Sequence, residues 1–250
     1  MFSNSKDPID REVDEMLEMA KSGKFEPGIY NFCDRWCEKC KDTDKCFLFA
    51  QEEQRKTRKV SNGKINDDEE IFWDEIKHSF ELTRRLIERG LREEGLDPQE
   101  VLKEAKKQKE WDDDADTRYD RVKCLILARK YMKEVHNFLD NFHRSRFQFY
   151  PEFGMEIDFS DIKDEIETIN WYHTLLPVKI WRFLYEKESL KREKNEELRR
   201  LMAKDLPKYF HLVRKCIQKS KTAWQNLTKK RGELASVDSQ FIDMLNKVKL

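Results

Sequence analysis

Apolar residues recur every three or four positions along most of the chain, the spacing of one face of an α-helix. These stripes cover positions 9–20, 72–91, 122–142, 162–183, 210–227 and 241–248. No stretch shows the sustained alternation of apolar and polar residues that marks a half-buried β-strand. The pattern therefore predicts an all-α fold, an antiparallel helical bundle of about four to six helices.

Helix ends can be placed by their capping residues. Asp7-Pro8 supplies a cap and a first-turn proline for the first helix, and Gly23 ends it. The next stripe predicts a helix over about 69–94, with a shorter helix after Asp97-Pro98. The acidic run at 112–116 is placed to cap the following helix, because carboxylates are favourable at a helix N-terminus.

The second half of the chain is divided by turn residues and charge. Pro151 and Gly154 predict a turn, and Ser160-Asp161 is placed to cap a long helix. Charged residues then dominate as far as Arg200, which indicates a solvated helical extension or a loop. Pro207 is expected to open the next helix.

The stretch 51–68 has few large apolar residues and contains the turn sequence Ser-Asn-Gly. We therefore predict three parts: residues 1–50 form an N-terminal helix and a cysteine loop, residues 51–68 form a linker or exposed loop, and residues 69–250 form the helical bundle.

Composition favours long, solvent-exposed helices around a real core. Of the 250 residues, 38% are hydrophobic and 40% are charged, and the formal net charge is zero. No apolar run reaches the roughly 18 residues of a membrane span, and no signal peptide is recognisable. We expect a cytoplasmic protein that does not bind membranes.

Charge is nevertheless uneven along the chain. Residues 93–120 hold eleven acidic and five basic residues, whereas residues 204–231 hold nine basic residues and one acidic residue. Basic residues among aromatics are typical of surfaces that bind single-stranded nucleic acid. Here the aromatics mostly fall on the apolar stripe, so pairing of the basic segment with the acidic one, or with a protein partner, is favoured over nucleic acid.

The strongest chemical signal is the stretch 30–49, YNFCDRWCEKCKDTDKCFLF. Four thiols lie within it in the spacing C-x3-C-x2-C-x5-C: Cys33, Cys37, Cys40 and Cys46. Thiolate sulfur selects zinc, copper(I) or iron–sulfur clusters over hard cations. Aromatic rings that exclude water from such a centre stand close by: Phe32, Trp36, Phe47 and Phe49.

The spacing favours a [4Fe–4S] cluster over zinc. Tetrahedral zinc sites usually pair two C-x2-C turns, and this stretch contains one. The separated corners of a cubane can be reached across short, unequal gaps. Zinc, and cysteines that are unliganded or disulfide-bonded, stay open as alternatives.

Two resemblances attach to these cysteines. The pattern YN-x-CD-x-x-C-x-x-C over residues 30–46 resembles an uncharacterised group of bacterial proteins that continue as helices, and it implies no activity. The C-x2-C-x5-C part is similar to the iron–sulfur loop of endonuclease III-type DNA glycosylases, although the first gap differs.

Cys124 and Cys216 fall within helical apolar stripes and are predicted to be buried thiols.

His136, Asp140 and His143 share a helix face with several basic residues, so a solvated charged face is favoured over a metal site. A ferritin-like di-iron bundle would need Glu-x-x-His on two helices, and the pair recognised here is Glu75 with His78.

A second candidate site lies in the sequence WYHTLLPVKIWRFLY at 171–185. His173, Lys179 and Arg182 stand in this otherwise apolar run, where an unpaired charge is costly. Ion pairs with neighbouring helices are the simpler interpretation. The alternative is an anion site, at which Lys179 and Arg182 hold a carboxylate or phosphate near His173.

The sequence thus indicates a metal-binding protein of unknown physiological role, carrying a cluster with a structural, redox or sensing function. A zinc-stapled interaction or nucleic-acid-binding module is the main alternative. A helical-bundle metalloenzyme, with a di-iron centre or an anion substrate, is a further one.

Overall fold

The computed structural model describes residues 7–61, 68–107, 118–148 and 160–250. Within these ranges the regular structure is helical, without a β-strand, which confirms the all-α prediction. The chain divides into two compact units, residues 1–111 and 112–250.

Short 3-10 turns accompany the helices of both units. The first unit contains α1 (Pro8–Lys21), α2 (Phe47–Ser61), α3 (Asp68–Glu93) and α4 (Pro98–Lys107). The second contains α5 (Lys123–Gln148), α6 (Lys163–Arg192), α7 (Glu196–Lys230) and α8 (Ala235–Lys247).

The first helix follows its sequence signals. The Asp7 carboxylate accepts a hydrogen bond from the backbone N–H of Ile9, and Pro8 occupies the first turn. Gly23, just past the helix, has φ +72°, a conformation that a side chain would strain. The prediction for α1 is confirmed.

Residues 51–61, expected in a linker or exposed loop, continue helix α2 instead. The segment has few apolar residues, but it is rich in good helix formers, and i,i+3 ion pairs join Arg55 to Glu52 and Lys56 to Glu53. Helix propensity and ion pairs along the helix therefore stabilise α2 in a segment that has no apolar stripe to predict it.

Helix α3 has the predicted bounds but not the predicted environment. It belongs to the first unit, whereas the sequence placed it in one bundle with everything after residue 69. Its expected core positions Phe72, Phe80 and Ile87 are exposed, Phe80 at 73%. Ion pairs link α3 to α1 instead: Arg85 contacts Asp7 and Asp10, Arg89 contacts Asp14, and His78 contacts Glu12.

The second unit is an antiparallel bundle. Lys230 at the end of α7 contacts Glu165 at the start of α6, while Phe183 near the end of α6 lies against Phe210 in α7, so these helices run in opposite directions. Helices α5 and α6 are also antiparallel, because Tyr119, just before α5, meets Trp181 late in α6 while His136 meets His173.

An aromatic cluster fills the core of this unit. Trp224 and Tyr131 are fully buried, and the indole N–H of Trp224 donates to the Tyr131 hydroxyl oxygen at 2.9 Å. Phe241 of α8 stacks on Trp224 with ring centroids 4.5 Å apart. Burial raises the pKa of Tyr131 to about 12, so its hydroxyl stays neutral and can accept this bond at physiological pH.

Two predicted helix starts are wrong. Pro207 lies inside α7, which begins at Glu196 after an Asn195 cap. The carbonyl that loses its donor at Pro207 belongs to Ala203, an exposed residue, so water can satisfy it. Ser160-Asp161 forms a 3-10 turn before α6 rather than its cap, and Asp161 pairs with Arg231.

The predicted cap at 112–116 and the turn at Pro151 and Gly154 lie outside the described residues. Among the helices that are described, none is both long and apolar enough to cross a membrane.

Candidate functional site

The cysteine loop is closed at its base by the backbone. The N–H of Glu26 donates to the carbonyl of Lys45 at 3.0 Å, which joins the two ends of the loop. Between them the chain makes three short 3-10 turns, Ile29–Phe32, Cys37–Lys39 and Thr43–Lys45. Each turn begins with a cysteine of the motif or is followed directly by one.

All four cysteines of the motif line one cavity of about 50 Å³. Cys33, Cys37 and Cys46 are half-buried, and Cys40 is exposed at the opening. The structure therefore places the four predicted site residues around a common space.

Two polar contacts involve the sulfurs directly. The backbone N–H of Asp42 donates to the Cys40 sulfur at 3.4 Å, and the Cys33 thiol donates to the carbonyl of Tyr30 at 3.4 Å. Hydrogen bonds to cysteine sulfur are among the features that tune iron–sulfur clusters.

Arg35 makes the sharp turn between the first two cysteines. Its φ is +58°, in the left-handed region that non-glycine residues rarely adopt, and no other non-glycine residue of the described ranges does so. Backbone strain of this kind tends to cluster at functional sites.

The thiols also interact electrostatically. Burial raises the pKa of Cys37 above its ordinary value of 9.0, and the negative charges of Cys33, Cys46, Glu38 and Cys40 raise it further. Four ionised thiols around one cavity would repel one another, so a bound cation would relieve both costs.

The aromatic surroundings match the sequence prediction in part. Trp36 and Phe49 line the cavity, as does Tyr30. Phe47 instead packs edge-on against Phe25, with ring centroids 5.6 Å apart. The Lys39 ammonium lies 4.2 Å from the centroid of the Trp36 ring, which places a cation beside the cavity.

The thiols do not converge on a single point. Across the described residues, no three His, Cys, Asp or Glu side chains form a group that could hold one metal ion. The four thiols thus line one cavity but do not form a group of the kind that holds a single ion.

The two remaining cysteines belong to the second unit. Cys124 and Cys216 are buried in the core of the bundle, which confirms that prediction. Burial raises the pKa of Cys124, as expected for an inert packing residue.

His173, Lys179 and Arg182 do not share one pocket. His173 is buried on the wall of a groove between α5 and α6, and neither Lys179 nor Arg182 is among the described residues that line it. Arg182 pairs with Glu186 on its own helix at 2.6 Å and lies over the Tyr209 ring. Nine residues separate His173 from Arg182, which places them on opposite faces of a helix.

The other weighed clusters are engaged in surface contacts. His136 and Asp140 form an exposed pair at 3.6 Å. His78, the histidine of the Glu-x-x-His pair, contacts Glu12 of α1 at 3.0 Å.

The basic segment 204–231 makes ion pairs inside the second unit. At its end, Lys230 contacts Glu165 at 2.8 Å and Arg231 contacts Asp161 at 2.7 Å. The acids that receive these cations lie in the 3-10 turn before α6 and in the first turn of α6, not in the acidic segment 93–120 that the sequence suggested.

Sequence reasoning missed two residues of the loop. Asp34 is buried and lines the same cavity as the thiols, as does Tyr30. Asp34 directly follows Cys33, and an acid beside a cysteine is too common a pattern to mark a site. The burial of Asp34 depends on the fold of the loop, which the sequence pattern does not give.

No family model matches this chain, and neither a curated protein nor a solved structure matches it. The interpretation of the site therefore depends on the chemistry of its own residues.

Proposed function

We propose that this is a cytoplasmic metal-binding protein that holds a [4Fe–4S] cluster on Cys33, Cys37, Cys40 and Cys46. The observation that carries the proposal is the common cavity that these four thiols line. Four cysteine ligands are the usual set for such a cluster, and a reducing cytoplasm keeps them available as thiols.

The spacing of the cysteines favours a cluster over zinc. Tetrahedral zinc sites usually pair two C-x2-C turns, and this loop contains one. The corners of a cubane are widely separated, so cysteines at short and unequal gaps can reach all four of them.

The composition of the loop supports a structural role. Between Lys24 and Cys46, all of which is described, the only buried residue is Asp34, so the loop has no apolar core of its own. Metal binding is itself folding free energy for a segment of this kind. A cluster would hold the loop in place, and redox or sensing roles would add to that function.

Nearby groups suit a centre with net negative charge. The Lys39 ammonium lies next to Trp36 on the cavity wall, and the Asp42 N–H already points to the Cys40 sulfur. When bound, the cluster would supply one-electron chemistry. The chain's own groups would set its stability and its exposure to solvent through Cys40, the exposed ligand.

Cysteine substitution tests the ligand assignment. Cys40→Ser, purified without oxygen, should lose most of its iron and sulfide, and hydrogen exchange of residues 26–46 should become faster. Cys124→Ser and Cys216→Ser are the matched controls, because both thiols are buried in the other unit.

The comparison among the three variants decides the result. Loss of metal in either control would show that the ligands are assigned wrongly. Full retention of metal by Cys40→Ser would exclude a four-cysteine centre.

A further inference from the structure

A second ligand site is suggested by the groove between α5 and α6, which lies wholly in the second unit and does not involve the cysteine loop. Its volume is about 800 Å³, within the range of pockets that hold small organic molecules. The described lining combines apolar side chains with two histidines and two cations.

His173 is the most deeply buried polar group in the wall of this groove. It is 2% exposed, and its Nδ1 lies 2.7 Å from the carbonyl oxygen of Asn170 and 3.2 Å from that of Ile169. Carbonyls only accept hydrogen bonds, so the ring proton sits on Nδ1. The Nε2 atom is then a lone-pair acceptor, and it is buried without a partner among the described residues.

The protonation state reinforces this assignment. Burial lowers the pKa of His173, and the neighbouring His136 lowers it further, while the two backbone hydrogen bonds oppose the shift. The ring is therefore neutral at physiological pH. A buried acceptor without a donor is costly, so a ligand that supplies an N–H or O–H would recover free energy.

Pro177, which also lines the groove, adds a second acceptor. Proline has no N–H, so the carbonyl of His173 lacks the amide that would normally bond to it four residues on. One carbonyl of α6 beside the groove thus lacks its usual helical donor, although the helix itself continues through Pro177.

The other residues that line the groove indicate the shape and charge of a suitable ligand. Met132, Val178 and Trp181 give the groove apolar surfaces that suit a flat hydrocarbon body. The charged residues of the described lining, Arg129 and Lys133, are both cations. Arg129 is partly neutralised by Asp120, which leaves Lys133 as the stronger attraction for an anion.

His136 is the neighbour of His173 in the lining of the groove. The centroids of the two rings lie 6.4 Å apart, with the planes at 17°. The side chain of His136 is 63% exposed, so it is accessible from solvent.

We propose that this groove binds a small organic acid with a flat apolar body, which donates one hydrogen bond to Nε2 of His173 and places its acid group near Lys133. A metal ion is the less suitable occupant, because no described His, Cys, Asp or Glu side chains join the two histidines in a group of three.

Indole-3-acetate is a suitable probe, since it carries a ring N–H and a carboxylate on a flat body. Calorimetric titration of the full chain should show binding, with 1-methylindole-3-acetate at least about fivefold weaker because its methyl group removes the donor. Indole-3-acetamide should also bind more weakly, because it lacks the charge.

His173→Phe keeps an aromatic ring but removes the acceptor, and it should bind the two indole acids equally. Lys133→Gln should weaken the acid and leave the amide unchanged. The matched control is His211→Phe, an exposed histidine on α7 outside the groove, which should behave as the native chain does.

A measurement on the native chain tests the same hydrogen bond without relying on variants that could misfold. Nitrogen-15 spectra of the histidine rings should show His173 protonated on Nδ1, and its Nε2 resonance should shift with indole-3-acetate but not with the methylated analogue. The proposal is overturned if indole-3-acetate fails to bind at millimolar concentration, if the methyl group has no effect, or if zinc rather than the acid shifts both histidines.

Discussion

The hydrogen bond between Trp224 and Tyr131 provides a sharp test of the packing of the second unit. Tyr131→Phe removes one oxygen atom and leaves the aromatic ring in place. The indole N–H of Trp224, which now donates to that oxygen at 2.9 Å, would lose its acceptor in a site with no exposure to solvent.

The cost follows from the surroundings of the indole. Its aromatic neighbours Phe138 and Phe241 lie with ring centroids 5.4 and 4.5 Å away and carry no oxygen. The buried hydroxyl of Ser220 already interacts with Tyr131, and Ser220→Ala in the Tyr131→Phe background shows whether it replaces the lost acceptor. An orphaned buried donor costs about 1–3 kcal/mol. At roughly 2–4 °C per kcal/mol, a loss of 2 kcal/mol lowers the melting temperature of this unit by about 4–8 °C.

Because the chain has two compact units, one global unfolding curve would mix their transitions. Native-state hydrogen exchange of the α5 and α7 amides reports the second unit alone. Tyr185→Phe is the matched control, since that ring is exposed and stacks on Trp181. Its effect should stay within about 0.5 kcal/mol.

Equal stability of the two variants would refute this reasoning. It would mean that the Trp224 N–H finds another acceptor, or that the two rings do not meet as described.

Three further predictions concern the same unit. Its free energy of unfolding should fall as pH drops below about 6.5, because burial lowers the pKa of His173 and the unfolded chain takes up the proton first; denaturant titrations on either side of that value measure this change. Lys230→Met should cost about 1–3 kcal/mol by hydrogen exchange, because it leaves the buried Glu165 carboxylate without its partner. Asp238→Asn should gain stability relative to the native chain as pH rises from about 4 to 7, because burial raises the pKa of Asp238 and makes its carboxylate form costly; thermal melts across that range measure it.

Each of these predictions has a control. His173→Phe should reduce the loss of unfolding free energy below about pH 6.5. If the dependence of that free energy on pH is the same in the variant as in the native chain, the first prediction is contradicted. Lys229→Met, at an exposed neighbouring position, should cost almost nothing, so equal effects would contradict the second. A constant difference between Asp238→Asn and the native chain at all pH values would contradict the third.

Where local chemistry decided the structure, the sequence predicted it well. The cap at Asp7 and the apolar stripe of α1 act within a few residues, and both appear as expected. The cysteine motif is equally local: four thiols in fourteen residues must lie close together whatever the rest of the chain does.

Prediction failed where another part of the chain decided the outcome. The apolar stripe of α3 predicted a buried helix, yet Phe80 is exposed, because α3 joins α1 through charged side chains that a hydrophobic pattern does not register. The sequence predicted that Pro207 starts a helix, but the helix continues through it. A helix can do so when the Ala203 carbonyl reaches water, and the orientation of the helix in the bundle decides this.

The groove was beyond sequence reasoning for the same cause. His136 and His173 come together through the register of α5 against α6, and no local pattern sets that register. The sequence grouped His173 with Lys179 and Arg182 because they were near in the chain, although the helix directs Arg182 to another face.

Metal analysis of the native chain purified without oxygen shows whether the four cysteines hold a [4Fe–4S] cluster. We predict a brown protein with a broad visible absorption and about four iron and four sulfide per chain, bleached when a chelator and an oxidant remove the cluster. A colourless protein with one zinc, or with no metal and four reactive thiols, would contradict it.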